Sequence, residues 1–176
     1  ASPNLTGLPA LPLSAPGLNH TTIGYIARLR NLTSLEIGSK NLTDKGAQAL
    51  ASLTHLTKLS LSGKNLTGGS IARYTSLKSL TALTTPMTDV ACASISALTS
   101  LTHLSISGTK VTDYCLEQIA KLPGLTSLTV TKTGITDGGL LKLKKSTTLR
   151  HLILKGNRTT SKGLAALKRH LPLLSL

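Results

Sequence analysis

Shifting the sequence against itself by 24 residues superimposes the apolar pairs Leu35/Ile37, Leu59/Leu61, Leu104/Ile106, Leu128/Val130 and Leu152/Leu154. Leu80/Ala82 joins the series after a spacing of 21, Leu11/Leu13 precedes Leu35 by 24, and another leucine stands three residues ahead of every pair. Seven units result. A chain built this way cannot gather its apolar groups into one central cluster; each unit must bury its wedge against the next. Composition agrees: the 176 residues include 37 leucines and 26 threonines but no Trp or Phe, so the core is many small aliphatic wedges rather than a few rings.

Eight residues after the first member of each pair comes a second landmark: Thr43-Asp44, Thr67-Gly68, Thr88-Asp89, Thr112-Asp113, Thr136-Asp137 and Thr160-Ser161, with Asn19-His20 in the first unit. Such residues start helices, because a side-chain oxygen at the cap accepts from unpaired first-turn amides and an acid suits the positive end of the helix dipole. Apolar residues follow at helical spacing, as in Ala47, Leu50 and Leu53, or Leu140 and Leu143. Each unit therefore reads as strand, turn and returning helix, an α/β chain whose strands lie parallel. Strand residues alternate faces, so Leu35 and Ile37 point inward while Ser34, Glu36 and Gly38 point outward, and later units repeat the choice.

The LxxLxL phrase, followed by Leu42, Leu66, Met87, Val111, Ile135 or the polar Thr159, resembles the leucine-rich-repeat family over nearly the whole chain. The resemblance implies a right-handed solenoid of about seven repeats, with a parallel sheet on the concave face and short helices on the convex face. The 24-residue period and segments such as Gly46-Ala47-Gln48-Ala49-Leu50 and Gly163-Leu164-Ala165-Ala166-Leu167 look like the GALA-type, F-box-associated (cysteine-containing-like) subclass, which includes bacterial effector domains. The family usually carries Asn, Cys or Thr just after the strand, where the side chain forms a ladder to neighbouring backbones. Here Thr85, Thr109, Thr133 and Asn157 fit, whereas Lys40 and Lys64 do not, and Asn41 and Asn65 beside them are placed to take over.

The three-residue deletion falls between Thr67 and Leu80, where Gly68-Gly69-Ser70 replaces a firm cap, and predicts a local bend or a lost helix in that unit rather than a domain boundary. Residues 1–176 thus read as a single domain. Leu171-Pro172-Leu173-Leu174-Ser175-Leu176 begins a further unit, and neither end carries a polar cap, which is expected of a fragment of a longer protein.

No reaction chemistry stands out, and the expectation is a non-catalytic domain with no cofactor and no metal. Asp44, Asp89, Asp113 and Asp137 are four of the six acids and sit at helix starts, while Glu36 and Glu117 are unpaired. His103 and His151 share an outward column but lie two repeats, roughly 10 Å, apart, too far for one zinc ion. Cys92 and Cys115 match no metal or redox spacing and are read as free thiols of a reducing compartment. All six asparagines open N-x-T triplets, which would be glycosylation acceptors in a secreted eukaryotic protein, although copying of a Thr-rich repeat also generates them. No apolar run reaches membrane-spanning length and the first residues lack a leader pattern. The expected location is the cytoplasm, or a host cell receiving a delivered effector, ahead of a secreted glycoprotein.

The net charge of +14 favours acidic partners. Nine of the twenty Lys and Arg follow Asp137, after which no acid occurs. The outward columns are mostly Ser and Thr, with Lys58, Lys78, Leu83, His103, Arg150, His151, Ile153 and Lys155 as candidate partner-binding anchors. The leading expectation is a protein-interaction module that binds an acidic protein surface on the concave strand face; the subclass resemblance implies substrate recognition for a ubiquitin ligase, or a bacterial effector. The alternative is nucleic-acid or other polyanion binding through the basic C-terminal repeats. That alternative lacks stacking residues, since Tyr25, Tyr74 and Tyr114 all fall in helical segments.

Overall fold

The protein is seen in a computed structural model that describes residues 10–14, 18–83 and 85–176, with only the backbone described at Pro12, Leu13, Ser14 and Leu83. Strands β1 (Ala10–Ser14), β2 (Ser34–Gly38), β3 (Lys58–Ser62), β4 (Ser79–Leu83), β5 (His103–Ser107), β6 (Ser127–Thr131) and β7 (His151–Lys155) form one sheet in chain order. Every neighbouring pair is parallel, and Leu35, Leu59, Leu80, Leu104, Leu128 and Leu152 stand in register. None of these six is more than 2% exposed. The return segments are helices α1 (His20–Ile26), α2 (Asp44–Leu50), α3 (Asp89–Ile95), α4 (Asp113–Ile119), α5 (Asp137–Lys142) and α6 (Ser161–His170). The expected α/β solenoid of seven parallel strands is what forms.

The shortened unit has lost its α-helix. Ile71–Arg73 makes a single 3-10 turn, and Tyr74 fills the space, buried with its hydroxyl donating to the Ala47 carbonyl of α2. Register survives because the deletion lies wholly on the return side: β3 and β4 still pair Leu59 with Leu80.

Threonine caps α2, α4, α5 and α6 as expected, Thr88 before α3 makes no side-chain cap bond, and the aspartates do something else. Thr43 Oγ1 accepts from the Gly46 N–H and Thr160 Oγ1 from that of Gly163, so the cap belongs to the threonine. The aspartate reaches forward into the next repeat. Asp89 accepts from the N–H and hydroxyl of Thr112 at 2.8 and 2.5 Å, Asp113 from those of Thr136 at 2.8 and 2.6 Å, and Asp137 from those of Thr160 at 2.8 and 2.6 Å. Asp44 does the same to Thr67 and adds the Gly68 N–H at 2.9 Å. Reading these acids as caps of their own helices is corrected accordingly: they couple successive repeats.

Room for two of these carboxylates, those of Asp113 and Asp137, is made by a glycine one repeat on. A Cβ on Gly139 would overlap the Asp113 carboxylate, and one on Gly163 would overlap that of Asp137. Where Gly68 stands in place of the aspartate, the matching position in the next repeat is the larger Ala91.

The turns after the strands come in two forms. After β5, β6 and β7 the first residue has positive φ (Gly108 +64°, Lys132 +53°, Gly156 +70°) and the next points inward. Asn157 then accepts from the Thr133 N–H and hydroxyl at 2.9 and 2.8 Å and donates to the Val130 carbonyl at 2.7 Å, forming the ladder expected of them. After β2 and β3 the inward residues are Ser39 and Gly63, both buried, which leaves Lys40 and Lys64 in solvent. Asn65 donates to the Lys40 carbonyl at 2.8 Å, as a substitute rung. Thr85 and Thr109 occupy ladder positions, but their buried hydroxyls find no protein partner.

Cys92 of α3 and Cys115 of α4, both fully buried, form a disulfide between adjacent repeats. This overturns the expectation of two free thiols. The 23-residue separation is close to one repeat, which brings consecutive helices side by side.

The aspartate rung and its glycine are expected to behave as one unit. In an unobstructed helix Gly→Ala stabilises by about 1 kcal/mol, whereas the overlap should make Gly139→Ala destabilising by about 1–3 kcal/mol in urea denaturation. In an Asp113→Ala background most of that cost should vanish, a coupling of at least about 1 kcal/mol; strict additivity would show that the carboxylate is not what excludes the side chain.

Candidate partner-binding face

The open face of the sheet carries three columns. The first runs Ser34, Lys58, Ser79, His103, Ser127, His151 and the second Glu36, Ser60, Thr81, Ser105, Thr129, Ile153. The third runs Gly38, Ser62, Leu83, Ser107, Thr131, Lys155. Lys58, His103 and His151 are exposed and lie on alternate strands, so successive Cα atoms in this series are roughly 10 Å apart. Thr102 Oγ1 lies 2.8 Å from His103 Nδ1 and holds that ring against the strand start. The Leu83 side chain lies outside the described residues.

Lys78 and Arg150 precede β4 and β7 in a column otherwise held by threonines. Thr57, Thr102 and Thr126 each donate a hydroxyl to the carbonyl one repeat back, at 3.1, 2.9 and 3.1 Å. Lys78 is exposed there. Arg150 is half-buried, its Nη1 donating to the Thr147 and Leu149 carbonyls at 2.9 and 3.0 Å, so part of its guanidinium is engaged by its own turn. It also borders a cavity of about 200 Å³ shared with Lys144, His170 and Leu173.

The structure thus brings Arg150, His151, Ile153 and Lys155 together on β7 and its approach, with Ile153 56% exposed. Lys58 instead adjoins Glu36 across β2 and β3 in a shallow depression of about 120 Å³ with Ser34, Ser60, Ser79 and Thr81. Sequence reasoning missed that grouping, although the 24-residue register places Glu36 diagonally beside Lys58. Among the described residues the only ion pair runs from Lys142 to Glu117 at 3.2 Å, on the helical side. Of the N-x-T asparagines, Asn65 and Asn157 spend their amide nitrogens on backbone carbonyls and Asn19 caps α1. Asn4 lies outside the described residues. Among the described residues no helix is long and apolar enough to cross a membrane.

Asp137 is the last acid before the basic end, and its carboxyl is held below the usual carboxylate range. The Thr160 hydroxyl contributes most, then the Thr160 N–H, with Lys162 assisting. Because the folded value lies below the unfolded one, this stabilisation is complete above the ordinary carboxylate range and is lost as pH falls through the lowered value. Thermal melts should therefore show Tm falling as pH drops from about 5 to 2, with a smaller fall in Asp137→Asn; an identical fall in the variant would mean that the Thr160 bonds do not depend on ionisation.

Two stretches, residues 28–51 and 145–168, match a family profile described as Leucine Rich repeat. No curated protein matches the chain in sequence. Among solved structures, an internalin C2 of Listeria monocytogenes superimposes with TM-score 0.64 at 23% identity over 93% of this chain and 78% of that one. A leucine-rich-repeat protein of Leptospira interrogans gives TM-score 0.68 at 19% identity over 97% of this chain and 48% of that one. An internalin (inlF) of Listeria monocytogenes gives 0.57 at 19% identity, over 98% and 61%. This chain therefore spans less than two thirds of the last two. What these similarities share with it is the fold.

Proposed function

We propose that this leucine-rich-repeat chain is a protein-recognition module whose open strand face captures an acidic protein surface at its β7 end. Leucine-rich-repeat proteins are generally interaction modules, and the observation that carries the finer reading is the grouping on β7. An exposed Ile153 stands among small hydroxylated neighbours and is flanked by His151, Lys155 and Arg150. Small residues let a partner's backbone approach, an exposed apolar side chain supplies desolvation energy, and adjoining cations select acidic surfaces and speed encounter. Neither β7 nor its approach carries an Asp or Glu.

Location is part of the same reading. Disulfides form and persist in oxidising surroundings, so the Cys92–Cys115 bond supports a place outside the cytoplasm. The ligase-type and delivered-effector roles implied by the GALA-type resemblance would put this bond in a reducing cytosol. Mass analysis of the native chain under non-reducing alkylation separates the two: a chain two hydrogen atoms lighter and refractory to alkylation supports the exported reading, and two alkylated thiols support the cytosolic one.

The face is tested by charge reversal. Arg150→Glu with Lys155→Glu should cut capture of the partner from cell-surface extracts by at least about tenfold while leaving the folded circular-dichroism spectrum intact. Because Arg150 is tied to its own turn, His151→Ala with Lys155→Glu serves as a second variant whose side chains are fully outward. Unchanged capture by both would place the binding site elsewhere.

A further inference from the structure

Parallel strands bring all their C-terminal ends to one rim, and that rim carries a row of cations. Lys40, Lys64, Lys110, Lys132 and Arg158 lie one to three residues beyond β2, β3, β5, β6 and β7, and all are exposed. None takes part in an ion pair within 4 Å among the described residues. The aspartates a few residues further on are turned into the hydrogen bonds of the next repeat. Neighbouring rungs recur at the strand spacing of about 4.8 Å, and the last three cations occupy consecutive repeats. Their backbones are fixed: Lys132 N–H donates to the Lys155 carbonyl at 2.8 Å, Lys110 N–H to the Met87 carbonyl at 2.9 Å and Arg158 N–H to the Ile135 carbonyl at 2.9 Å.

One of these residues is held against its own preference. Lys132 has φ +53°, the left-handed conformation, where the equivalent residues of the adjoining repeats are Gly108 and Gly156. A side chain there is strained relative to glycine, and a strained residue in an over-determined turn points to function. The Lys132 stem lies over Gly156, whose missing Cβ would come within 3.3 Å of its Cγ.

We propose that this rim is a track for an acidic polysaccharide, centred on Lys110, Lys132 and Arg158 and extended by Lys64 and Lys40. A linear polymer with one anion per sugar or so matches a linear row of cations. Ser62, Ser107 and Thr131 close β3, β5 and β6 beside the row; Thr131 Oγ1 donates to Ser107 Oγ at 2.8 Å, which leaves the Ser107 hydroxyl able to donate to a sugar oxygen. A single-stranded nucleic acid is the weaker fit: its binding sites combine charge with aromatic platforms, whereas Tyr74 is buried and Tyr25 and Tyr114 lie on the helices. The disulfide also favours surroundings in which surface glycans are the abundant polyanion. This surface is distinct from the β7 face, and its test leaves Arg150, His151 and Lys155 untouched.

The probes are heparin, polygalacturonate and a single-stranded oligothymidine, titrated by calorimetry at several salt concentrations. Lys110→Gln, Lys132→Gly and Arg158→Gln together should weaken binding of at least one polysaccharide by about tenfold or more and reduce the salt slope by about two to three. Removing three charges from the helical side, with Lys145→Gln, Lys162→Gln and Lys168→Gln, should change affinity by less than about twofold. Lys132→Gly alone should raise Tm yet lower polysaccharide affinity, a combination that a purely structural lysine would not produce. Equal losses in both triple variants would reduce the effect to net charge and overturn the track. Tighter binding of oligothymidine than of either polysaccharide would overturn the partner class.

Discussion

No repeat of this chain contains a core of its own. Leu59 is covered by Leu35 on one side and Leu80 on the other, each in register and each at most 2% exposed. Fully burying one such side chain stabilises by about 1.5–3 kcal/mol, and that gain exists only while both neighbours are in place. Stability is therefore a property of interfaces between repeats, and every residue that fixes repeat spacing acts on the whole stack. It is why a three-residue deletion on the return side is tolerated while the strand register is kept.

Two further devices set the spacing on the helical side. The aspartate rungs join α3 to α4, α4 to α5 and α5 to α6 through paired bonds to a threonine, so the cap of one helix is oriented by the carboxylate of the one before. The series is interrupted at Gly68, in the shortened repeat that has no α-helix, and one repeat on Thr88 makes no side-chain cap bond. Just beyond the gap, the Cys92–Cys115 bond joins α3 to α4 covalently. Tyr74, buried beneath, ties the 3-10 turn back to α2. The weakest part of the aspartate ladder is thus flanked by two other links.

How far the sequence carried this reading depends on whether a residue's role repeats. Strand positions, the Thr caps and the lost helix were legible because each is a landmark at constant offset or a visible gap in one. The forward reach of Asp113 was not, because a Thr-Asp pair before a helix satisfies ordinary capping rules and nothing local reveals that the carboxylate serves the next repeat. Gly139 and Gly163 held the missing signal, as glycines set 26 residues after an aspartate. The cysteine pair was misread for a related reason. A disulfide joins residues that fold into contact, and in a solenoid contact recurs at one repeat, so a 23-residue separation was itself the clue. The β7 grouping was anticipated, whereas the partial engagement of Arg150 by the Thr147 and Leu149 carbonyls could be seen only in three dimensions.

The same regularity explains why function here resists reading from any single residue. In a stack, a side chain at one offset is multiplied into a row, so chemistry is written in columns, and a column of Ser and Thr has no direction until something interrupts it. The informative positions are those that break their column: Ile153 among hydroxyls, Arg150 among threonines, Lys132 among glycines. The first breaks the polar surface, the second replaces a backbone-bonding hydroxyl with a cation, and the third accepts a backbone conformation that its neighbours fill with glycine. Each departure costs something locally, in desolvation, a lost rung or strain, and Ile153 and Lys132 are left exposed while Arg150 is left half-buried. Interruptions that the stack itself does not need are where contact with another molecule is to be sought.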